Sequence, residues 1–154
     1  MAIDLLVSDP PPLHKYRHDL ESFFYLYACA AATFDPDQEQ TIRVIAQWNQ
    51  SSFEAIGLLK RQFLRNKAEY EDILKHAPAQ FQPAVKGVLR ALRFLFGEVD
   101  ILTSECDLMK FRAERDDESP DVVQRKLADI EKKRDGLASY AKFMEILGVP
   151  QDEF

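Results

Sequence analysis

Glycine is scarce in this sequence, and no segment contains a cluster of glycines. The chain of 154 residues has five, at Gly57, Gly87, Gly97, Gly136 and Gly148. A loop that wraps phosphate groups with its backbone amides needs several glycines close together. No single segment of this chain can form such a loop, which argues against a self-contained nucleotide site.

Cysteine is also scarce, and the two that occur form no pair motif. Cys29 lies inside an apolar run and Cys106 in a charged segment, so we predict two free thiols in a reducing compartment. The first residues lack the basic region and long apolar run of a secretory signal. We therefore expect an intracellular protein, in the cytoplasm or the nucleus.

The chain lacks both an excess of positive charge and a long hydrophobic run. It has 20 Lys and Arg against 26 Asp and Glu, which makes nucleic acid and anionic membranes poor partners. The apolar run at residues 23–32 is too short for a bilayer, which a helix of about 20 apolar residues crosses. We expect neither nucleic-acid nor membrane binding.

That apolar run is the feature around which the rest of the chain is organised. It follows Asp19, whose side chain can accept from the free amides of a helical first turn. Asp35-Pro36-Asp37 then interrupts the helical pattern. We predict a buried central helix over residues 19–34, capped by Asp19 and enclosed by the remaining helices.

The segments around the central helix are also predicted to be mainly helical. Residues 1–17 are predicted to form an extended segment with a proline-rich link, because three prolines follow Asp9. Apolar spacing and end signals predict further helices at 52–65, behind the capping box Ser51-x-x-Glu54, and through Tyr70 to Pro78. Phe53, Ile56, Leu59 and Phe63 are expected to share the apolar face of the 52–65 helix.

The second half of the chain is predicted to contain two more helices. One is predicted from Pro83 to a C-terminal cap at Gly97, and a single long helix from Pro120 to Gly148. No strand-like alternation of useful length appears, so we predict an all-α helical bundle that forms one domain over residues 1–154.

The decapeptide Tyr16-Arg17-His18-Asp19-Leu20-Glu21-Ser22-Phe23-Phe24-Tyr25 resembles the carboxy-terminal lobe of the fungal-type protein kinase family. The resemblance implies the helical subdomain of a kinase C-lobe, in which Ala2-Ile3-Asp4 takes the place of the Ala-Pro-Glu motif and Asp19 braces the catalytic loop. Residues 48–64 and 142–148 resemble the family more loosely. The structural motif positions are Ala2, Asp4, Tyr16, Arg17, His18, Asp19, Glu21 and Ser22.

The parts of a kinase that perform phosphoryl transfer are absent from the sequence. There is no glycine-rich loop, no catalytic loop and no Asp-Phe-Gly. Arg17-His18-Asp19 permutes the His-Arg-Asp triplet, yet Glu21 and Phe24 stand where lysine and asparagine would be needed. We therefore predict no catalytic, cofactor-binding or metal-binding residues, and ATP and Mg²⁺ only for an intact family member.

Polar residues near the start of the chain have two candidate roles. The resemblance implies that the acid at Asp4 pairs with a distant arginine, for which Arg61, Arg90 and Arg93 are the candidates. We predict a structural ion pair, because a buried carboxylate needs a partner. His14 and His18 have the spacing of two zinc ligands on a helix, but they straddle the end of the proline-rich link, where helix is disfavoured.

Two functions remain compatible with the sequence. The first is a partial fungal-type kinase domain that is inactive alone, and the alternative is a free-standing helical protein-interaction module or pseudokinase-like scaffold. A kinase covers its central helix partly with segments absent here, which would leave some of the apolar run bare. Phe23, Phe24 and Tyr27 are therefore the candidate interface, for self-association or for a protein partner.

Overall fold

The computed structural model describes residues 1–33, 43–49, 52–115 and 119–149, and these residues form helices and connecting turns without any strand. The prediction of an all-α fold is thus confirmed for the described ranges. The α-helices are α1 (Ile3–Val7), α2 (Tyr16–Thr33), α3 (Arg43–Gln47), α4 (Phe53–Arg65), α5 (Lys67–His76), α6 (Gln82–Ala84), α7 (Arg90–Ala113), α8 (Pro120–Leu137) and α9 (Tyr140–Leu147). A 3₁₀ turn (Ala79–Phe81) precedes α6, and a π-helical segment (Val85–Leu89) joins α6 to α7.

Helix α2 supplies one side of the hydrophobic core. Leu20, Phe24, Ala28 and Ala31 recur at helical spacing and are buried. The ring of Phe24 lies 6.0 Å from that of Phe63 in α4 and 5.2 Å from that of Phe96 in α7. Three helices therefore meet at Phe24, which is fully buried.

Helix α1 packs against α4 through a glycine. A Cβ at Gly57 would lie 2.4 Å from Cγ1 of Val7 and 3.1 Å from Cβ of Leu6, so only glycine allows this approach. The prediction that residues 1–17 are extended was wrong for Ile3–Val7, because burial of Ile3 and Leu6 against the core stabilises a short helix.

Helix α7 continues through the glycine that was expected to end it. Gly97 is an interior residue of α7, and a Cβ there would lie 3.9 Å from the carbonyl oxygen of Leu64 in α4. A glycine costs a helix interior about 1 kcal/mol, and packing of α7 against α4 outweighs that cost. The buried Asp100 of α7 adds to this packing by accepting from Nε of Arg61 at 2.8 Å and of Arg65 at 2.7 Å.

The last helical stretch is broken into two helices. α8 ends at Leu137, and Ala138 leaves helical geometry with φ −86° and ψ 50°. Ser139 then caps α9 by accepting from the amide of Lys142 at 3.3 Å. The single helix predicted up to Gly148 was wrong, whereas Gly148 does end α9 in the left-handed conformation, with φ 73°.

The predicted helix 52–65 corresponds to α4, and the predicted helix that passes through Tyr70 and ends near Pro78 corresponds to α5. Ser52 caps α4 by accepting a hydrogen bond from the amide of Ala55 at 3.4 Å. The predicted capping residue, Ser51, lies outside the described residues. The predicted end of the central helix at residues 35–37 also lies outside them. Phe53 was expected on the apolar face but is exposed.

None of the helices in the described ranges is both long enough and apolar enough to cross a membrane.

Adjacent phenylalanines of α2 provide a test of this packing. We expect Phe24→Ala to lower the free energy of unfolding by about 3–5 kcal/mol, because it removes a buried ring from a three-helix contact. The matched control Phe23→Ala removes an exposed ring and should cost less than about 1 kcal/mol. Urea denaturation measures both values, and equal losses would contradict this orientation of α2.

Candidate functional site: the two sides of helix α2

Helix α2 begins before the residue that was predicted to cap it. Tyr16 is its first residue, and Asp19 lies within the first turn. The carboxylate of Asp19 is more than half exposed, and its Oδ1 lies 3.3 Å from Nε2 of His14. The prediction that Asp19 caps α2 was therefore wrong, although its charge still suits the positive end of the helix dipole.

Asp4 of α1 lies buried against the first turn of α2. Its Oδ2 is 3.2 Å from Nη2 of Arg17 and 3.1 Å from Nε2 of His18. The predicted ion pair with an arginine is present, but the partner differs from the three candidates. Arg61 instead pairs with Asp100, Arg93 donates to the carbonyl of Phe63, and Arg90 is exposed beside Phe94.

The ring of His18 is fully buried, and both of its nitrogens are engaged. The backbone amide of Lys15 donates to Nδ1 at 3.0 Å, so Nε2 carries the hydrogen that faces Asp4. The rings of His14 and His18 lie 5.5 Å apart, yet His18 has no free nitrogen for a metal. The described residues contain no group of three or more His, Cys, Asp or Glu side chains arranged to hold a metal ion.

Arg17 extends this cluster to α8. Its Nη1 donates to Asp135 at 2.7 Å, and Lys15 contacts both Asp135 and Glu131. Glu131 also pairs with the buried Arg134, whose Nη1 lies 4.0 Å from Asp4. Charged groups from α1, α2 and α8 are thereby joined in one network.

Asp4 is ionised in this network at neutral pH. Burial alone would raise the pKa of its carboxyl, but the hydrogen bond from His18 and the hydrogen bond and positive charge of Arg17 outweigh burial and lower the pKa to about 2. The carboxylate is therefore stabilised by partners on α2, and the network holds α1 in place.

Glu21 behaves in the opposite way. It is buried one turn after Arg17 and accepts from the amide of Ile3 at 2.9 Å. Burial raises its pKa to about 7, with the nearby Asp4 adding to the rise, while the amide of Ile3 and the charge of Lys60 oppose it. Glu21 thus joins α1 to α2 as a carboxyl group that is partly protonated at neutral pH.

The remaining motif residues have local roles. Ala2 is fully buried just before α1, and Ser22 donates to the carbonyl of His18 at 2.7 Å. Tyr16 is half exposed, and its ring lies 6.4 Å from that of Tyr140 at the start of α9. The structure thus brings Ala2, Asp4, Arg17, His18, Glu21 and Ser22 together and leaves Tyr16 and Asp19 at the surface.

The opposite side of α2 is apolar and open. Phe23 is 61% exposed and Leu26 is 64% exposed, whereas Phe24 is fully buried. Two residues of the predicted interface, Phe23 and the half-buried Tyr27, therefore face outward. The prediction that Phe24 belongs to the interface was wrong. Leu26 was missed, although the helical repeat places it on the same side as Phe23.

Two apolar grooves flank this exposed side. The first has a volume of about 310 Å³, and its walls come from α2, α7 and α9: Phe23, Leu26, Tyr27, Ala30, Leu92, Phe143 and Leu147. The second measures about 270 Å³ and lies between α2, the 3₁₀ turn and α6; it is formed by Tyr27, Ala30, Ala31, Phe81 and Ala84. Because both include Tyr27 and Ala30, they form one apolar surface along α2.

A larger cleft of about 360 Å³ lies on the polar side, between α7, α8 and the proline-rich link. Asp4 and Arg134 are among the residues that form it. Oδ1 of Asp4 and Nε of Arg134 are buried without a hydrogen-bond partner.

Sequence reasoning missed Glu131, Arg134 and Asp135, the residues of α8 that complete the polar network. Their only signal in the sequence is a dense run of charge in α8, which equally suits a solvated surface.

Comparison with known proteins identifies no relative. No protein-family model matches the chain, and the searches of curated proteins and of solved structures returned no match.

Asp4 provides a test of the polar network in acid. Because the pKa of Asp4 lies below the ordinary 3.8, the stability that its carboxylate gives to the fold is present above pH 4 and is lost as the pH falls towards 2. We expect Asp4→Asn to destabilise the protein by about 2 kcal/mol at pH 7 and to differ little from wild type at pH 2. Urea unfolding across this range measures the difference. A constant difference would contradict the assignment, and Asp107→Asn, an exposed carboxylate, is the control.

Glu21 should make the free energy of unfolding depend on pH in the neutral range, with the opposite sign to Asp4. Its raised pKa means that the protonated group stabilises the fold below pH 4.5, and this stabilisation is lost as the pH rises through 7. Glu21→Gln keeps an acceptor for Ile3 and removes the titration, so the variant should gain up to about 3 kcal/mol over wild type between pH 5 and 8. Unfolding at both pH values measures the gain. The exposed Glu71→Gln should show none, and an equal pH dependence in wild type and Glu21→Gln would refute the assignment.

Proposed function

We propose that this chain is a kinase C-lobe-like helical module that transfers no phosphoryl group by itself and binds a protein partner through the outward side of α2. The observation that carries the proposal is the exposure of Phe23 and Leu26 on a helix whose other side is buried in the core. Adjacent apolar side chains and grooves in a folded chain mark an interaction surface.

Two motif residues of the fungal-type kinase resemblance bear on the proposal. Asp4, in the place of the acid in the Ala-Pro-Glu motif, is buried and ion-paired with an arginine, although this is Arg17 and not the distant arginine that the resemblance implies. Asp19, expected to brace a catalytic loop, has its carboxylate more than half exposed at the end of the open side. The exposed Asp19 supports the proposal of a C-lobe-like module whose central helix is left partly uncovered.

The same arrangement supports the absence of phosphoryl transfer. A general base must reach the proton that it removes, together with a bound nucleotide and its metal ions. Among the described residues, the ionisable side chain that contacts Asp19 is His14, and the catalytic triplet is permuted. The purified chain, incubated with Mg-ATP and a protein substrate, should show no phosphate incorporation. Phosphate incorporation by the wild-type chain that disappears when Asp19 is substituted would contradict the proposal.

Protein binding is tested by selecting peptides from a display library on the immobilised chain. Peptides that recognise the proposed surface should bind Leu26→Asp at least about tenfold more weakly, because the variant places a charge in the apolar contact. Leu58→Asp is the matched control, since Leu58 is a similarly exposed leucine on α4. Calorimetric titration measures the affinities. Failure to enrich any peptide, or equal loss with both variants, would contradict binding at α2.

A further inference from the structure

The exposed residues of α2 follow a regular spacing. Among residues 16–32 of α2, the exposed positions are Tyr16, Asp19, Phe23, Leu26 and Ala30, separated by steps of three and four residues. A stripe with this period lies almost straight along a helix, and it is the repeat with which one helix packs along another. The stripe is apolar or aromatic apart from Asp19.

We propose that the partner of α2 is an amphipathic α-helix of another protein, which lies along this stripe and carries a lysine or arginine that contacts Asp19. The inference rests on the proposed function and adds the chemistry of the partner. It requires apolar residues at the same three-and-four spacing and one cation near an end of the partner helix.

The grooves beside α2 have the shape that such a helix needs. They measure about 310 Å³ and 270 Å³, lie side by side and share Tyr27 and Ala30. Large side chains of a partner helix can enter the two grooves, because the short side chain of Ala30 between them allows close approach. Main-chain pairing with an extended peptide has no support, because the described residues provide no strand edge.

The need for a cation comes from Asp19. Its carboxylate lies at the amino-terminal end of the stripe, and its one close partner among the described residues is the equally exposed His14. A partner that covers the stripe would remove Asp19 from water, which costs free energy unless an opposite charge replaces the water. Arg17, the nearest arginine in sequence, is buried and paired with Asp4 and Asp135, so it does not neutralise Asp19.

A second α2 helix, from another copy of this chain, fits the stripe less well. The basic residues of α2 are Arg17 and His18, and both are buried. Parallel pairing of two α2 helices would place two Asp19 carboxylates together, and antiparallel pairing would place each against apolar side chains. A second α2 therefore offers no charge to balance Asp19, whereas another protein can.

The test uses designed helical peptides of about 18 residues, roughly the length of α2. Each peptide has leucine at the three-and-four spacing. One pair of peptides carries lysine or glutamate at the first stripe position, and a second pair carries them at the last, so that parallel and antiparallel binding along α2 are both tested. Titration of the full chain at low salt gives the affinities. Asp19→Lys is the charge-reversed variant, and Asp107→Lys is a control at an exposed carboxylate of α7. Circular dichroism checks that each variant remains folded.

We expect one lysine peptide to bind the wild-type chain about fivefold more tightly than its glutamate counterpart, a preference that reverses in Asp19→Lys and weakens at high salt. Asp107→Lys should leave the preference unchanged, and Leu26→Asp should weaken every peptide.

Three results would overturn the inference. Equal binding of lysine and glutamate peptides that still depends on Leu26 would refute the charge pair and leave the proposed function standing. Binding of display-selected peptides without binding of any designed helix would refute the helical partner alone. A dimer that Leu26→Asp converts to monomer would assign the stripe to a second copy.

Discussion

The buried carboxylate of Asp4 is the constraint on which the arrangement of this chain depends. An ionised group taken out of water is tolerated only with close partners, and here Arg17 and His18 supply them. Those partners fix α1 against the start of α2, and Arg17 reaches onward to Asp135 in α8. One charge thereby orients the amino-terminal turn of α2, the helix that supplies one side of the core.

With its first turn fixed in this way, α2 has two unlike sides. The side formed by Leu20, Phe24 and Ala28 is buried, and the side formed by Phe23 and Leu26 is open to solvent. An open apolar side on a core helix does not help the isolated chain to fold. It becomes favourable when a partner covers it, which is why binding, rather than chemistry, is the proposed function.

The sequence predicts the position of α2 because ten consecutive apolar residues leave few alternatives. Its start was misjudged because Arg17 and His18 are polar residues buried by Asp4 and by Asp135, and contacts so distant in sequence leave no local pattern. The role of Gly97 was mispredicted for a similar reason, since its neighbour α4 decides whether the helix continues. The sequence also does not predict which side of the apolar run is buried. Phe23 and Phe24 are the same residue type, and only the packing of the other helices makes one exposed and the other buried. The open stripe then follows from the helical repeat.

The most direct test of the Asp4 network and the open side of α2 is the thermal unfolding of the full chain, followed by circular dichroism over about a hundredfold range of protein concentration. We predict one cooperative loss of helix with a midpoint that does not change with concentration, as expected for a folded monomer with an open α2. A broad, non-cooperative loss of helix would show that the Asp4 network does not hold the chain together. A midpoint that rises with concentration would show that a second copy covers the stripe, and either result would contradict the central claim.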